Sequence, residues 1–515
     1  MAIVEEALYG AAQKRVGGPE TDRRMQGISL ALIFGSAALL ILFPEQSKTT
    51  LDGLFNWMTD SFDFAFLSVG FGALVFVIWL AASRFGTVKL GAEDTASEFT
   101  WSAWGAMVFL AGIASGLMLW AGTEWAYHYA WTPFGLEAAS PQMFTVGQAY
   151  GMFHWGPTAW ALYCIPAVAM SYIYYVRKRH IYKVSEACRG ALGNIVDGPV
   201  GQVIDYMFIF GILGAAATSL GLGTPMIGGA LANVLGIAPN VWLDVAIILC
   251  CTAVFSISSG LGLDDGIKRL SYAGSLLTLA IIVYVFFAGP TGFIVELGMD
   301  SVAYTLSNYV TMSLWTDSVG QSGFPQAWTV FYWAWWVAYA PFMGLFVTRI
   351  SMGRTIREVI IGLLTFGSSG CVLFYVVLGG YGIDQQINGT LPMVDLVNDQ
   401  GVAPAIIEMF KTLPGSSLVL VAVAVSGIVM LATTFDSAAY VMACASTKEL
   451  DEGEEPARGN RLFWCGAIAV LPMSLLFLGG LKTMQTAVVL VGLPVIVIMV
   501  FMMITTVRFL KQDQA

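Results

Sequence analysis

Between Phe324 and Ala340 the chain reads FPQAWTVFYWAWWVAYA, an uncharged apolar run that carries Trp328, Tyr332, Trp333, Trp335, Trp336 and Tyr339. Taken as a helix, Trp328, Tyr332, Trp335, Trp336 and Tyr339 follow the three-and-four spacing that puts side chains on one face. A one-sided wall of indole and phenol rings suits a ligand with a permanent positive charge and no donor hydrogens. Aromatic faces attract a quaternary ammonium that can be neither neutralised nor hydrogen-bonded. Packing of a crowded helix, or a belt of rings at a membrane interface, would use the same residues. A second run, GMFHWGPTAWALY, brings Trp155, Trp160 and Tyr163 beside the helix breakers Gly156 and Pro157.

A third constellation has a different chemistry. AGIASGLM contains Gly112, Ala114, Ser115 and Gly116, a weak point at which a helix could open, and ATTFDSAAY contains Thr433, Thr434, Asp436 and Ser437. Opened carbonyls meeting paired hydroxyls would offer a hard monovalent cation the oxygens it requires, and broken helices at mid-membrane are where secondary transporters hold coupling ions. The competing explanation is close helix packing at glycine and back-bonding of threonine to its own helix. Asp436 is an intramembrane carboxylate, either functional or paired with a polar neighbour that holds its helix. His154, one of three histidines, reads as a proton relay or as a structural hydrogen bond beside the Gly-Pro break.

The elements that must position these residues are membrane spans. Hydrophobic residues make up 57% of the chain and charged residues 11%, against roughly a quarter charged in soluble proteins. Stretches of about twenty apolar residues begin near Gln26, Asp63, Thr100, Val146, Gly198 and Val241, then near Ile267, Pro325, Ile356, Ser417, Leu462 and Met484. They predict an all-α integral membrane protein of about twelve helices. Between Gly289 and Phe324, Val302, Leu306, Tyr309 and Val310 recur at helical spacing and predict an amphipathic helix at the outer surface. Of the 24 Lys and Arg, only Lys48, Lys411 and Lys482 fall outside when both termini are placed in the cytosol, as the distribution of cations in loops requires. The run RISMGRTIRE, Arg349 to Glu358, then reads as a cytoplasmic anchor that ends the eighth helix.

Depth bears on the aromatic runs. Trp335 lies about ten residues into a helix that enters from outside, roughly 15 Å at 1.5 Å per residue, near the middle of a hydrocarbon core about 30 Å thick. Trp155, Trp160 and Tyr163 arrive at a similar level, too deep for an interface belt. Packing remains as the alternative. Gly112 and Thr434 each lie about twelve residues from the cytoplasmic end, roughly 18 Å. The seven cysteines show neither a disulfide framework nor zinc spacing, and the net charge of -10 argues against nucleic acid. Three scattered histidines without a nucleophile-base pair or metal-ligand spacing argue against an intramembrane enzyme.

The chain resembles the betaine/choline/carnitine transporters. The motifs that carry the likeness are FHWGPTAW at Phe153 to Trp160, FPQAWTVFYWAWW at Phe324 to Trp336 and RISMGRTIRE. The resemblance implies a leucine-transporter-type fold with two inverted five-helix repeats after two extra helices. The segments would be a cytosolic tail (1–25), helices one and two (26–83), a first repeat (100–289), an outer amphipathic helix and loop (290–324), a second repeat (325–509) and a short cytosolic tail (510–515). It implies a homotrimer in the bacterial inner membrane. It also implies that Trp155, Trp160, Tyr163, Trp335, Trp336 and Tyr339 box an onium head, with Tyr127, Ser115 and Met343 as further substrate residues and Trp328 in an outer, transient patch.

The same resemblance places sodium at Thr433, Thr434, Leu110 and Ile113, with no other cofactor. Sodium-independent carnitine exchangers lack the hydroxyl pair and carry an arginine where this chain has Gly274, whereas Met343, Tyr339 and DEGEEP at Asp451 to Pro456 follow the exchanger pattern. Choline-selecting members carry an aspartate in the glycine-rich part of the third helix, and this chain has none there. Sodium-coupled symport of a zwitterion such as glycine betaine, carnitine or dimethylsulfoniopropionate is therefore expected, with sodium-independent carnitine/butyrobetaine exchange as the rival. The short tails point to uptake without strong osmotic activation.

Overall fold

The computed structural model describes residues 19–112, 114–478 and 481–513. Among them every regular element is helical, apart from two isolated bridges that pair Thr21 with Thr447 and Lys89 with Thr355. Ten helices are long and apolar enough to cross a membrane. Where the third and eleventh crossings are expected, the described residues form the shorter apolar helix Trp101–Gly112 and the helix Arg458–Leu478.

The helices that build the interior are α1 (Arg23–Leu42), α2 (Pro44–Ala82), α3 (Trp101–Gly112), α4 (Ala114–Trp120), the short α5 (Glu124–Ala130), α6 (Gln142–His154) and α7 (Pro157–Ser171). They are followed by α8 (Pro199–Leu235), α9 (Val241–Leu261), α10 (Lys268–Ala288), α11 (Thr291–Leu314), α12 (Phe331–Ile350), α13 (Ile356–Gly362), α14 (Ser416–Ala445) and α15 (Arg458–Leu478). The two aromatic runs form the most extensive helix pair in the molecule, α7 lying along α12. Both are buried along almost their whole length, whereas α1, α2 and α9 turn apolar side chains such as Leu39, Ile78 and Ile257 outward. Apolar exteriors around a buried pair are what a lipid-facing ring around a central pair requires.

Two sequence expectations change. Helix α2 begins at Pro44 rather than near Asp63, because hydropathy registers only its apolar half. Its polar half starts with proline in the first turn, where the missing N–H costs nothing, and contains the i,i+4 pair Lys48–Asp52 at 2.9 Å. The outer helix α11 exists, and the side it packs on the protein is not its apolar stripe. Leu306 and Val310 are exposed, while Gly298, Ser301 and Thr305 face the protein. Ser301 donates to Gln148 Oε1 at 2.9 Å, and a Cβ on Gly298 would press on Val376 at 2.7 Å, so small and hydroxyl residues make the contact. Of the expected stripe, Tyr309 turns inward, its hydroxyl bonded to Thr158.

The RISMGRTIRE run ends α12 at Ile350 but is no exposed anchor. Arg349 is buried, 3.1 Å from Glu98 and from the Tyr440 hydroxyl, and the guanidinium of the buried Arg354 lies 4.2 Å over the Trp101 ring.

Candidate substrate and ion site

The break between α6 and α7 is where the site starts. Pro157 has no N–H, and Thr158 N–H, which a continuous helix would aim at the His154 carbonyl, donates instead to Tyr309 Oη at 3.1 Å. The freed His154 carbonyl accepts Trp336 Nε1–H at 2.9 Å. The break before α7 thereby fixes the rotamer of a tryptophan on α12.

Around that bond the rings gather. Trp335 and Trp336 stack at 5.3 Å with 10° between planes, Trp155 meets Trp336 edge-on at 4.8 Å, and Tyr163 stands 6.3 Å from both Trp336 and Tyr339. Trp160 packs against Tyr163 at 5.6 Å. Glycines admit these rings: a Cβ on Gly112 would come within 2.9 Å of Trp160, and one on Gly367 would fall inside the same indole. A cavity remains between Trp155, Trp335, Trp336 and Tyr339. Gly112, Gly116, Ser219 and Thr434 close its other side. Met343 reaches Gly112 from below, its Cε 3.5 Å from where a Cβ would be.

Tyr127 and Trp328 lie apart from the cavity. They face each other at 5.5 Å in an outer layer, where Trp328 also meets His128 at 4.5 Å.

Of the expected ion ligands, Thr434 and Leu110 come together and Thr433 does not join them. Thr434 Oγ1 lies 3.0 Å from the Leu110 carbonyl and 3.1 Å from that of Met430, whereas Thr433 Oγ1 donates to Val429 O in its own helix at 2.8 Å. Gly274 sits beside this pair, since a Cβ there would stand 3.0 Å from Leu110 and 2.8 Å from Val429. Ile113 and the Ser115 side chain lie outside the described residues.

Sequence reasoning missed the group that holds the ring cluster. Glu124, at the start of α5, is fully buried and accepts five hydrogen bonds. His128 Nε2 at 3.3 Å and His154 Nδ1 at 3.1 Å donate to Oε1. Trp155 Nε1 at 3.1 Å, Tyr332 Oη at 2.9 Å and Tyr375 Oη donate to Oε2. On its other side the His154 ring places Nε2 3.1 Å from Thr329 Oγ1. A carboxylate saturated in this way is stable in a dry interior where an unpaired one would not be.

Glu124, His128 and His154 also bring three metal-type ligand atoms within 4.8 Å of one another, which no spacing in the sequence announces. The donor set is already committed to hydrogen bonds that satisfy the carboxylate, so it does not fit a resident metal. A signal for the hub existed: Glu124 is the one acidic residue between Glu98 and Glu137, four residues before one of three histidines.

Comparison with known proteins agrees with this architecture. The family described as BCCT, betaine/carnitine/choline family transporter, matches residues 25–515. A relative named Uncharacterized transporter YeaV, from Escherichia coli strain K12, is 36% identical over 448 residues, covering 86% of this chain and 92% of that protein. A carnitine transporter of Acinetobacter baumannii is 34% identical over 496 residues, covering 96% and 90%. The solved structure of a Na+-coupled sialic acid symporter, in a substrate-bound outward-open state, superposes with a TM-score of 0.50 at 15% identity over 85% of this chain and 86% of that one. That likeness gives the leucine-transporter-type fold. Buried aromatic helices, the polytopic helical fold and a match along nearly the whole length lead to one assignment: the chain belongs to the betaine/carnitine/choline family of transporters.

Proposed function

We propose that the protein moves a zwitterionic quaternary ammonium or sulfonium compound of the glycine betaine, carnitine or dimethylsulfoniopropionate type into the cell with sodium, by alternating access. One observation carries the reading: Trp155 from the break before α7, three rings of α12 and Thr434 line the same cavity. An onium head is held by ring faces, and an ion a short distance away stabilises the same closed form, which is how a ligand and an ion bias one conformational equilibrium. The absence of any carboxylate from the cavity lining favours a zwitterion, which brings its own negative group, over choline.

Gly274 supports sodium over a fixed cation. It stands against Leu110, at the position the family resemblance aligns with the exchangers' arginine, and carries no charge of its own. Trp328 and Tyr127 make the outer, transient patch. A homotrimer in the bacterial inner membrane, with both termini in the cytosol, completes the reading.

Uptake of labelled glycine betaine, carnitine and dimethylsulfoniopropionate into proteoliposomes tests it, with external sodium replaced by potassium and with or without internal substrate. Symport requires uptake driven by sodium into empty vesicles. Uptake that ignores sodium and needs internal substrate would establish exchange instead, the reading favoured by Met343 beneath the box.

A further inference from the structure

We propose that Asp436, Ser258 and Ser259 form a binding site for a small monovalent metal cation, sodium, separate from the Thr434–Leu110 pair. Asp436 is fully buried in α14, and neither of its carboxylate oxygens has a hydrogen-bond partner. Ser258 and Ser259, near the end of α9, lie against it. They are 6% and 0% exposed, and their hydroxyls are unpartnered too. A bare carboxylate in a dry interior is costly, and the cost disappears when a cation sits on it. Two carboxylate oxygens and two hydroxyls form an all-oxygen set, which favours a hard cation over a soft one.

The other charged and titratable groups facing Asp436 do not supply that cation. Arg461, at the start of α15, is bonded to Glu455, so the pair carries no net charge, and Cys465 on the same helix is a buried thiol. Glu455 is held in turn by Leu263 N–H at 2.9 Å, just after Gly262 with φ 91°, in the π-helical turn Leu263–Ile267 that joins α9 to α10. Turns of this kind recur at functional sites. Arg461 keeps one buried unpartnered nitrogen, Nε, and is the group that would compete for Asp436.

The site is distinct from the ion position proposed above. Asp436 follows Thr434 by two residues, a rotation of about 200° on a helix, so the carboxylate faces α9 while the threonine faces α3. Asp436 lies nine residues before the end of α14 at Ala445, roughly 14 Å from the end that the cation distribution places in the cytosol.

The test uses the full-length protein in detergent, with radioactive sodium binding measured by scintillation proximity between pH 6 and pH 9 and no organic substrate present. Asp436→Asn, Ser259→Ala and Thr434→Val are compared with the parent. A sodium site is established if Asp436→Asn removes one bound sodium per chain and Ser259→Ala weakens that sodium about fivefold or more. Sodium stoichiometry equal to the parent's in Asp436→Asn would overturn the proposal and assign Asp436 to Arg461. If Asp436→Asn does not fold, Ser259→Ala decides alone: sodium affinity within twofold of the parent rejects the site. Thr434→Val reports on the coupling ion independently. Loss of sodium binding there with Asp436→Asn unaffected overturns this site and leaves the symport reading intact, and the reverse pattern does the opposite.

Discussion

Two fully buried carboxylates occupy the same molecule in opposite conditions. Glu124 has five donors around two oxygens, contributed by α5, α6, α12, the stretch after α13 and the break before α7. Asp436 has none. The contrast separates a charge used as a fixed structural centre from a charge waiting for a mobile partner. Saturated polar networks hold side chains in one geometry, whereas an unsatisfied buried group carries a free-energy cost that a ligand can remove. In the first case the protein supplies the complement, and in the second the solution does.

Substitutions by the matching amide should split the pair. Glu124→Gln places an NH2 among five donors, and each buried donor left unsatisfied costs about 1 to 3 kcal/mol. The expected result is a fall in melting temperature together with a loss of betaine affinity of at least about tenfold, read by thermal melting and tryptophan fluorescence titration. A variant that melts and binds like the parent would show that the five bonds hold nothing. Asp436→Asn should move stability the other way, by about 1 kcal/mol in favour of the folded state, when melting is followed at low sodium and alkaline pH. Destabilisation there would put Asp436 in the same class as Glu124.

Smaller effects refine the ring cluster. Gly367→Ala drives a methyl into the Trp160 ring and should cost about 1 to 3 kcal/mol by overpacking, visible as a lowered melting temperature. Trp336→Ala removes one ring face and should weaken substrate binding by about 0.5 to 2 kcal/mol. Unchanged affinity in that variant would mean the stacked pair is packing alone. Between the threonines, Thr434→Val should reduce sodium stimulation of uptake more than Thr433→Val, because Thr433 is satisfied within its own helix. Equal effects would show that α14 rotates in the working cycle.

The positions of the spans and the composition of the ring cluster were readable in the sequence because both depend on periodicity. Apolar runs of membrane length and aromatics at three-and-four spacing survive any detail of packing, and α7 and α12 meet as their depths predicted. What escaped depends on contacts that periodicity does not contain. Glu124 lies thirty residues before His154 and more than two hundred before Tyr332, and the bonds among them exist only once three helices have docked. The packed face of α11 was not readable for a related reason. In lipid the apolar stripe can face outward, so Leu306 and Val310 mark the exposed side and Ser301 and Thr305 the buried one. Thr433 and Thr434 are chemically identical in the sequence, and only rotation about α14 separates their partners.

The diverted amide of Thr158 gives the outer helix a mechanical link to the interior. Because Tyr309 receives that N–H, any straightening of the chain at Gly156 withdraws the phenol's partner and loosens α11 where it crosses the fourth span. Leu306, 72% exposed and one turn from Tyr309, is therefore a place where an attached spectroscopic label would register the opening of the aromatic chamber from outside the protein.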